Sequence, residues 1–184
     1  MSTDQPTYQK LLHLVAQVIS IVFYPMLIPT YGMILFCLAI RAQLFALPAG
    51  YCVIICVATL AFTCLIPLSL ILFMFWRGQI PDLYISDARL RTMPYLYSIM
   101  GFVFWCWFVG KNMHAPRYLL WTAIGATIAL VIVLIINRRW KISAHLAAMG
   151  GLLGGICSYA LAYGVFPLGL IAIVLGVSLG VMYA

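Results

Sequence analysis

Tyr118-Leu119-Leu120-Trp121-Thr122-Ala123-Ile124-Gly125-Ala126-Thr127-Ile128-Ala129-Leu130-Val131-Ile132-Val133-Leu134-Ile135-Ile136-Asn137 is the stretch on which the fold turns. It carries no charge, and Arg138-Arg139-Trp140-Lys141 closes it. A helix needs about 20 apolar residues to cross the hydrocarbon core of a bilayer, because each residue advances it only about 1.5 Å. This stretch has that length. The cations and Trp140 behind it are residue types that anchor a span at the water interface.

The pattern repeats on both sides. A first apolar block runs from Leu11 to Ile40 and is closed by Arg41; Pro25 and Pro29 bracket its middle. Each proline removes a helix hydrogen bond, so a kink or an unwound segment is expected there. The block reads either as one kinked, tilted helix or as an interfacial helix followed by a span. A second block, Tyr51 to Trp76, has Pro67 near its centre and ends on the interface anchor Trp76-Arg77. The polar loop Gly78 to Thr92 leads to a short aromatic block, Pro94 to Val109. After the fourth block come a fifth, Ala144 to Tyr163, and a sixth, Val165 to Ala184, separated by Gly164 and Pro167. The expected fold is all-α: a polytopic transmembrane helix bundle of about six spans, with residues 1–184 forming a single integral membrane domain. The sixth block ends on Gly180-Val181-Met182-Tyr183-Ala184 with no polar tail to mark a water interface, so the natural protein is expected to continue beyond it.

Composition excludes other classes. Of 184 residues 66% are hydrophobic and only 7% charged, with ten Lys or Arg against three acids. A soluble domain is about one quarter charged. Three acids cannot solvate a globular surface of this size. The net charge of +7 is not a nucleic-acid footprint, because the basic residues stand singly or in small groups between apolar blocks. No nucleic-acid partner is expected; membrane lipids are. Met1 to Lys10 is polar and runs into an apolar stretch without a small-residue cleavage site, so no cleavable signal peptide is read there.

Cysteine and histidine say less. Cys37, Cys52, Cys56, Cys64, Cys106 and Cys157 all lie inside apolar blocks, where cysteine behaves as a small hydrophobe. Cys52 and Cys56 share a helix face, but no convergent pair near an aqueous edge is visible. His13 and His114 lack supporting residues, and haem ligation needs facing histidines at one depth. No metal and no cofactor is expected.

The scarce charges carry the functional information. With six crossings, Lys10, Arg77, Arg89, Arg91, Arg138, Arg139 and Lys141 share one side, and Arg41, Lys111 and Arg117 the other. Seven against three puts the first side in the cytoplasm. If Arg89, Arg91 and Lys141 bind an anion, the remaining four against three sets no orientation.

Two constellations stand out. In Ser86-Asp87-Ala88-Arg89-Leu90-Arg91-Thr92-Met93-Pro94, two guanidiniums flank one residue before a proline-started span. A guanidinium offers a planar fork of donors that suits phosphate, and Asp87 is placed to orient one of them. The other reading is that they are snorkelling interface anchors. In Lys141-Ile142-Ser143-Ala144-His145, Ser143 is a natural N-cap for the fifth block. A helix start favours anions, and a histidine in its first turn can transfer protons near neutral pH. The other reading is a capped helix with an interfacial lysine and an incidental histidine. Behind it, Gly150 with Gly154 and Gly151 with Gly155 are small residues four apart, a spacing that permits close helix contact.

On these residues the chain resembles the type-2 phosphatidic acid phosphatase superfamily, and a small bacterial integral membrane branch within it. That family carries Lys, six residues and Arg-Pro; then Pro-Ser-Gly-His; then Ser-Arg, five residues, His, three residues and Asp. Ser143-Ala144-His145 is similar to the second motif, with Ile142 for its Pro and Ala144 for its Gly. Arg89, Arg91 and Pro94 are similar to a degenerate first motif in which Met93 replaces the Arg. The third motif is missing; by family spacing it would begin about where the chain reaches Ala184.

The resemblance implies a lipid-phosphate phosphatase of the bacterial inner membrane, needing no metal. A third-motif histidine attacks phosphorus, and a second-motif histidine protonates the leaving oxygen. Carried over, His145 is the general acid, Arg89, Arg91, Lys141 and Ser143 bind phosphate, and Asp87 orients an arginine. The nucleophile then lies beyond residue 184, so this chain alone is expected to be inactive. Candidate substrates are undecaprenyl pyrophosphate, phosphatidate and phosphatidylglycerol phosphate. Two other readings stay open. Asp87-Ala88-Arg89-Leu90-Arg91 looks like the Asp-Arg-x-x-Arg loop of major facilitator transporters, without its glycines. A non-catalytic membrane subunit would also account for Met93, Ala144 and the missing motif.

Overall fold

The computed structural model describes residues 14–15, 18, 21–42, 47–80, 90–140, 142–164 and 168–183. All regular structure among them is helical. Six helices can be followed from end to end among the described residues: α1 Ile28–Ala42, α2 Ala49–Trp76, α3 Thr92–Asn112, α4 Arg117–Asn137, α5 Ala144–Tyr163 and α6 Leu168–Tyr183. Four of them, α2 to α5, are long and apolar enough to cross a membrane, whereas the apolar parts of α1 and α6 are shorter. The chain is thus a membrane protein, all-helical among the described residues. Large apolar side chains stand exposed along the helices, as they do where lipid is the solvent.

The prolines act locally as expected. Residues 23–27 are not helical, and Pro25 lies among them. Helix α1 then starts at Ile28, with Pro29 in its first turn, where a missing N–H costs nothing.

The chain packs as two compact units: Pro29–Ile142, which holds α1 from Pro29 onward and α2 to α4, and α5 and α6 with the described residues up to Ile28. In the first unit α2, α3 and α4 form an antiparallel series. Trp105 Nε1 on α3 donates to Thr59 Oγ1 on α2 at 2.9 Å, and Cys106 Sγ meets Thr127 Oγ1 on α4 at 3.3 Å. Phe36 on α1 stacks on Tyr118 of α4, with ring centroids 5.3 Å apart. The thiol of Cys37 on α1 is within reach of those of Cys52 and Cys56 on α2, a convergence the sequence spacing does not reveal. All six cysteines are free.

Both α2 and α3 contain a five-residue π turn, Ala61–Leu65 and Phe108–Asn112. The first has a cause. The Ile66 N–H reaches back to Ala61, and Pro67 has no N–H to give, so neither supplies the Phe62 carbonyl with a helical partner. Gly101 of α3 comes against that carbonyl so closely that a Cβ could not be added; the added Cβ would also meet the Pro67 ring at 3.3 Å. A Cα–H donor in close approach gives a backbone oxygen in an apolar surrounding some compensation. Phe62 and Phe108, one from each π turn, then pack at 5.6 Å. Of the four glycines read as a packing stripe, Gly150, Gly151 and Gly154 have room: among the described residues, a Cβ at each would meet nothing within 4 Å.

Gly101→Ala should therefore lower the thermal midpoint in detergent, through overpacking worth about 1–3 kcal/mol. Gly125→Ala, whose added Cβ meets nothing within 4 Å, should leave it in place. Equal midpoints for the two variants would show that the Phe62 contact is not tight.

Candidate functional site

The first turn of α5 is built from local rules. Ser143 has an extended backbone, φ −74° and ψ 113°, and its hydroxyl accepts from the Leu146 N–H at 3.4 Å. Its own carbonyl accepts from the Ala147 N–H at 3.1 Å. This is the N-cap arrangement expected from the sequence, in which one of the orphan donors of a helix start is satisfied by a side chain. His145 follows in the same turn, half-buried, with its ring edge-on to Tyr24 at 6.2 Å and 86°. Both belong to the unit of α5 and α6. The edge-on packing orients the imidazole. No spacing rule could have named Tyr24, because more than a hundred residues separate the two rings.

Arg91 belongs to the other unit and is described on its own. It is the N-cap residue of α3, with helical backbone angles and no side-chain cap. Its Nη1 donates to the carbonyl of Ile142 at 3.4 Å. Ile142 directly precedes Ser143 in the chain. One turn above Arg91 stands Tyr95, whose N–H bonds to the Arg91 carbonyl at 3.0 Å. The Tyr95 hydroxyl is buried without a hydrogen-bond partner among the described residues. Asp87, Arg89 and Lys141 lie outside the described residues.

Each piece on its own offers anion chemistry: the capped start of α5 carries outward N–H groups and the positive end of the helix dipole, and in the other unit the Arg91 guanidinium has planar donors. A histidine in that turn supplies a proton carrier. Among the described residues no group of three His, Cys, Asp or Glu gathers that could hold a metal ion. In comparison with known proteins, the chain matches no family model, no curated protein and no solved structure.

The cap has a direct check. Ser143→Ala should destabilise the α5 start by about 1 kcal/mol, whereas Ser143→Asn should retain most of the stability. Denaturant titration in mild detergent would separate the two; an alanine variant as stable as wild type would remove the cap from the account.

Proposed function

We propose that the protein is a lipid-phosphate phosphatase of the type-2 phosphatidic acid phosphatase kind, with six membrane crossings that include α1 and α6, in a bacterial inner membrane. The observation that carries this reading is the Ser143-capped start of α5 with His145 in its first turn. The chemistry follows from that turn. A lipid phosphomonoester or pyrophosphate places its charged end at the helix start and its apolar chain among the helices. Nucleophilic attack on phosphorus breaks the bond to the leaving oxygen, and protonated His145 gives that oxygen its proton. Water then releases inorganic phosphate and restores the proton, so the net reaction is hydrolysis. The attacking nucleophile is assigned to no residue of this chain.

The remaining roles are distributed by charge. Ser143 and the N–H groups of its turn hold phosphate oxygens, as a helix start does for anions. The positive charge that balances the phosphoryl oxygens as the bond breaks is given to Arg89, Arg91 and Lys141 by the resemblance of the sequence to the family motifs alone. Asp87 orients an arginine fork. Phosphatidate, phosphatidylglycerol phosphate and undecaprenyl pyrophosphate all present that charged end.

The test is phosphate release from these lipids in detergent by the protein as its gene encodes it. His145→Ala should lower release at least a hundredfold, the low end of what positioned acid–base catalysis contributes. The variant should still insert and purify. Wild-type release retained in that variant would remove His145 from the mechanism, and no release by the wild type on any of the three lipids would overturn the reading.

A further inference from the structure

We propose that the turn joining α3 to α4 binds the headgroup of an anionic phospholipid, with Lys111 and Arg117 pairing with its charge and Trp107 and Trp121 packing one turn deeper. The inference goes beyond the phosphatase reading and does not depend on it, because this turn lies at the end of α3 remote from Arg91. Three observations carry it. The first is that the turn is built from fixed contacts. Helix α3 ends in the π turn Phe108–Asn112, and the N–H groups of Met113 and Ala115 bond back to the carbonyls of Phe108 and Val109 at 3.1 and 3.2 Å. His114 takes the left-handed backbone, φ 46°, and the Pro116 carbonyl accepts from the Leu119 N–H at 2.8 Å to begin α4. Val109 is fully buried, and a Cβ at Gly110 would meet Leu120 of α4 at 3.2 Å. The end of α3 and the start of α4 are therefore in contact, with Lys111 on one and Arg117 on the other.

The second is the pairing of each cation with an indole. Trp107 precedes Lys111 by four residues, and Trp121 follows Arg117 by four. In α4 that spacing puts both side chains on one helix face. All four side chains are exposed, the indoles at 56% and 67%. Both helices are long and apolar enough to cross a membrane, so these ends meet its water interface. There an indole sits at the headgroup level and a cation stands just outside it. Two adjoining helices thus present the same layered pair at one edge.

The third is the charge. Among the described residues, Lys111, His114 and Arg117 make no hydrogen bond or ion pair. The sequence holds no acid after Asp87, and neither 43–48 nor 113–116, which join the helices at this end of the first unit, contains one. The protein leaves this edge positive, so the complementary charge comes from outside it. A zwitterionic headgroup brings an ammonium of its own against these cations, whereas an anionic headgroup brings net negative charge.

The experiment reads lipid contact at Trp121. Purified protein is reconstituted in phosphatidylcholine vesicles with increasing shares of phosphatidylglycerol brominated on its acyl chains, which quenches nearby tryptophan fluorescence. For each protein the signal of the same variant carrying Trp121→Phe is subtracted, which isolates Trp121. Brominated phosphatidylglycerol should quench Trp121 at a lower share than brominated phosphatidylcholine does. Lys111→Gln and Arg117→Gln should each reduce that preference about fivefold, the effect of one cation near a charged membrane surface. Lys111→Arg with Arg117→Lys keeps both charges and should keep the preference. Arg138→Gln with Arg139→Gln removes the same charge from the other end of α4 and should leave the Trp121 signal unchanged. Equal quenching by the two lipids in the wild type would make the cations general anchors and overturn the inference. So would equal losses in the two glutamine pairs, which would reduce the effect to net charge, and so would a lost preference in the charge-keeping pair.

Discussion

Hydrocarbon offers no water, so every backbone carbonyl and N–H inside it must be satisfied by the protein. The Phe62 carbonyl is where this demand shapes the first unit. The π turn carries the Ile66 N–H past it to Ala61, and Pro67 has no N–H to replace it. Only a backbone without a side chain can come close enough to help, and Gly101 is that backbone. The contact fixes the height of α3 against α2. Trp105 then meets Thr59, and Cys106 meets Thr127 on α4, at heights this register sets. Arg91 and Tyr95 stand at the start of the same helix as Gly101, so the register also sets their height against α2.

The same constraint accounts for the hydroxyls. A threonine or serine inside a membrane helix avoids an unsatisfied group by donating to the carbonyl one turn back. Thr59 does this to Ile55 at 2.7 Å and still accepts from Trp105 Nε1, so one hydroxyl serves as both donor and acceptor. Thr63 donates to Thr59 in turn. The result is a short polar ladder within α2 that joins α3 through an indole. Such interhelical bonds are individually modest in lipid, about 0.6 kcal/mol on average. Their value here lies in direction: the indole has a single donor, so it fixes rotation as well as distance.

Features that depend on neighbours in sequence were legible, and features that depend on neighbours in space were not. The spans from Ala49 to Tyr163 were readable because lipid demands a length of apolar chain, and the break at Pro25 because a proline lacks an N–H. Ser143 was readable as a cap because its partner, Leu146, is three residues away. The π turns were invisible because an extra residue per turn leaves hydropathy unchanged. The glycines of α5 show the limit of a spacing rule: small residues permit close approach but do not attract a partner, and among the described residues a Cβ at Gly150 or Gly154 would meet nothing within 4 Å. Gly101, isolated among aromatics, is the one pressed against backbone. Tyr24 beside His145 and Cys37 beside Cys52 and Cys56 likewise required the fold. Asp87, Arg89 and Lys141 lie outside the described residues, and their roles are read from the sequence alone.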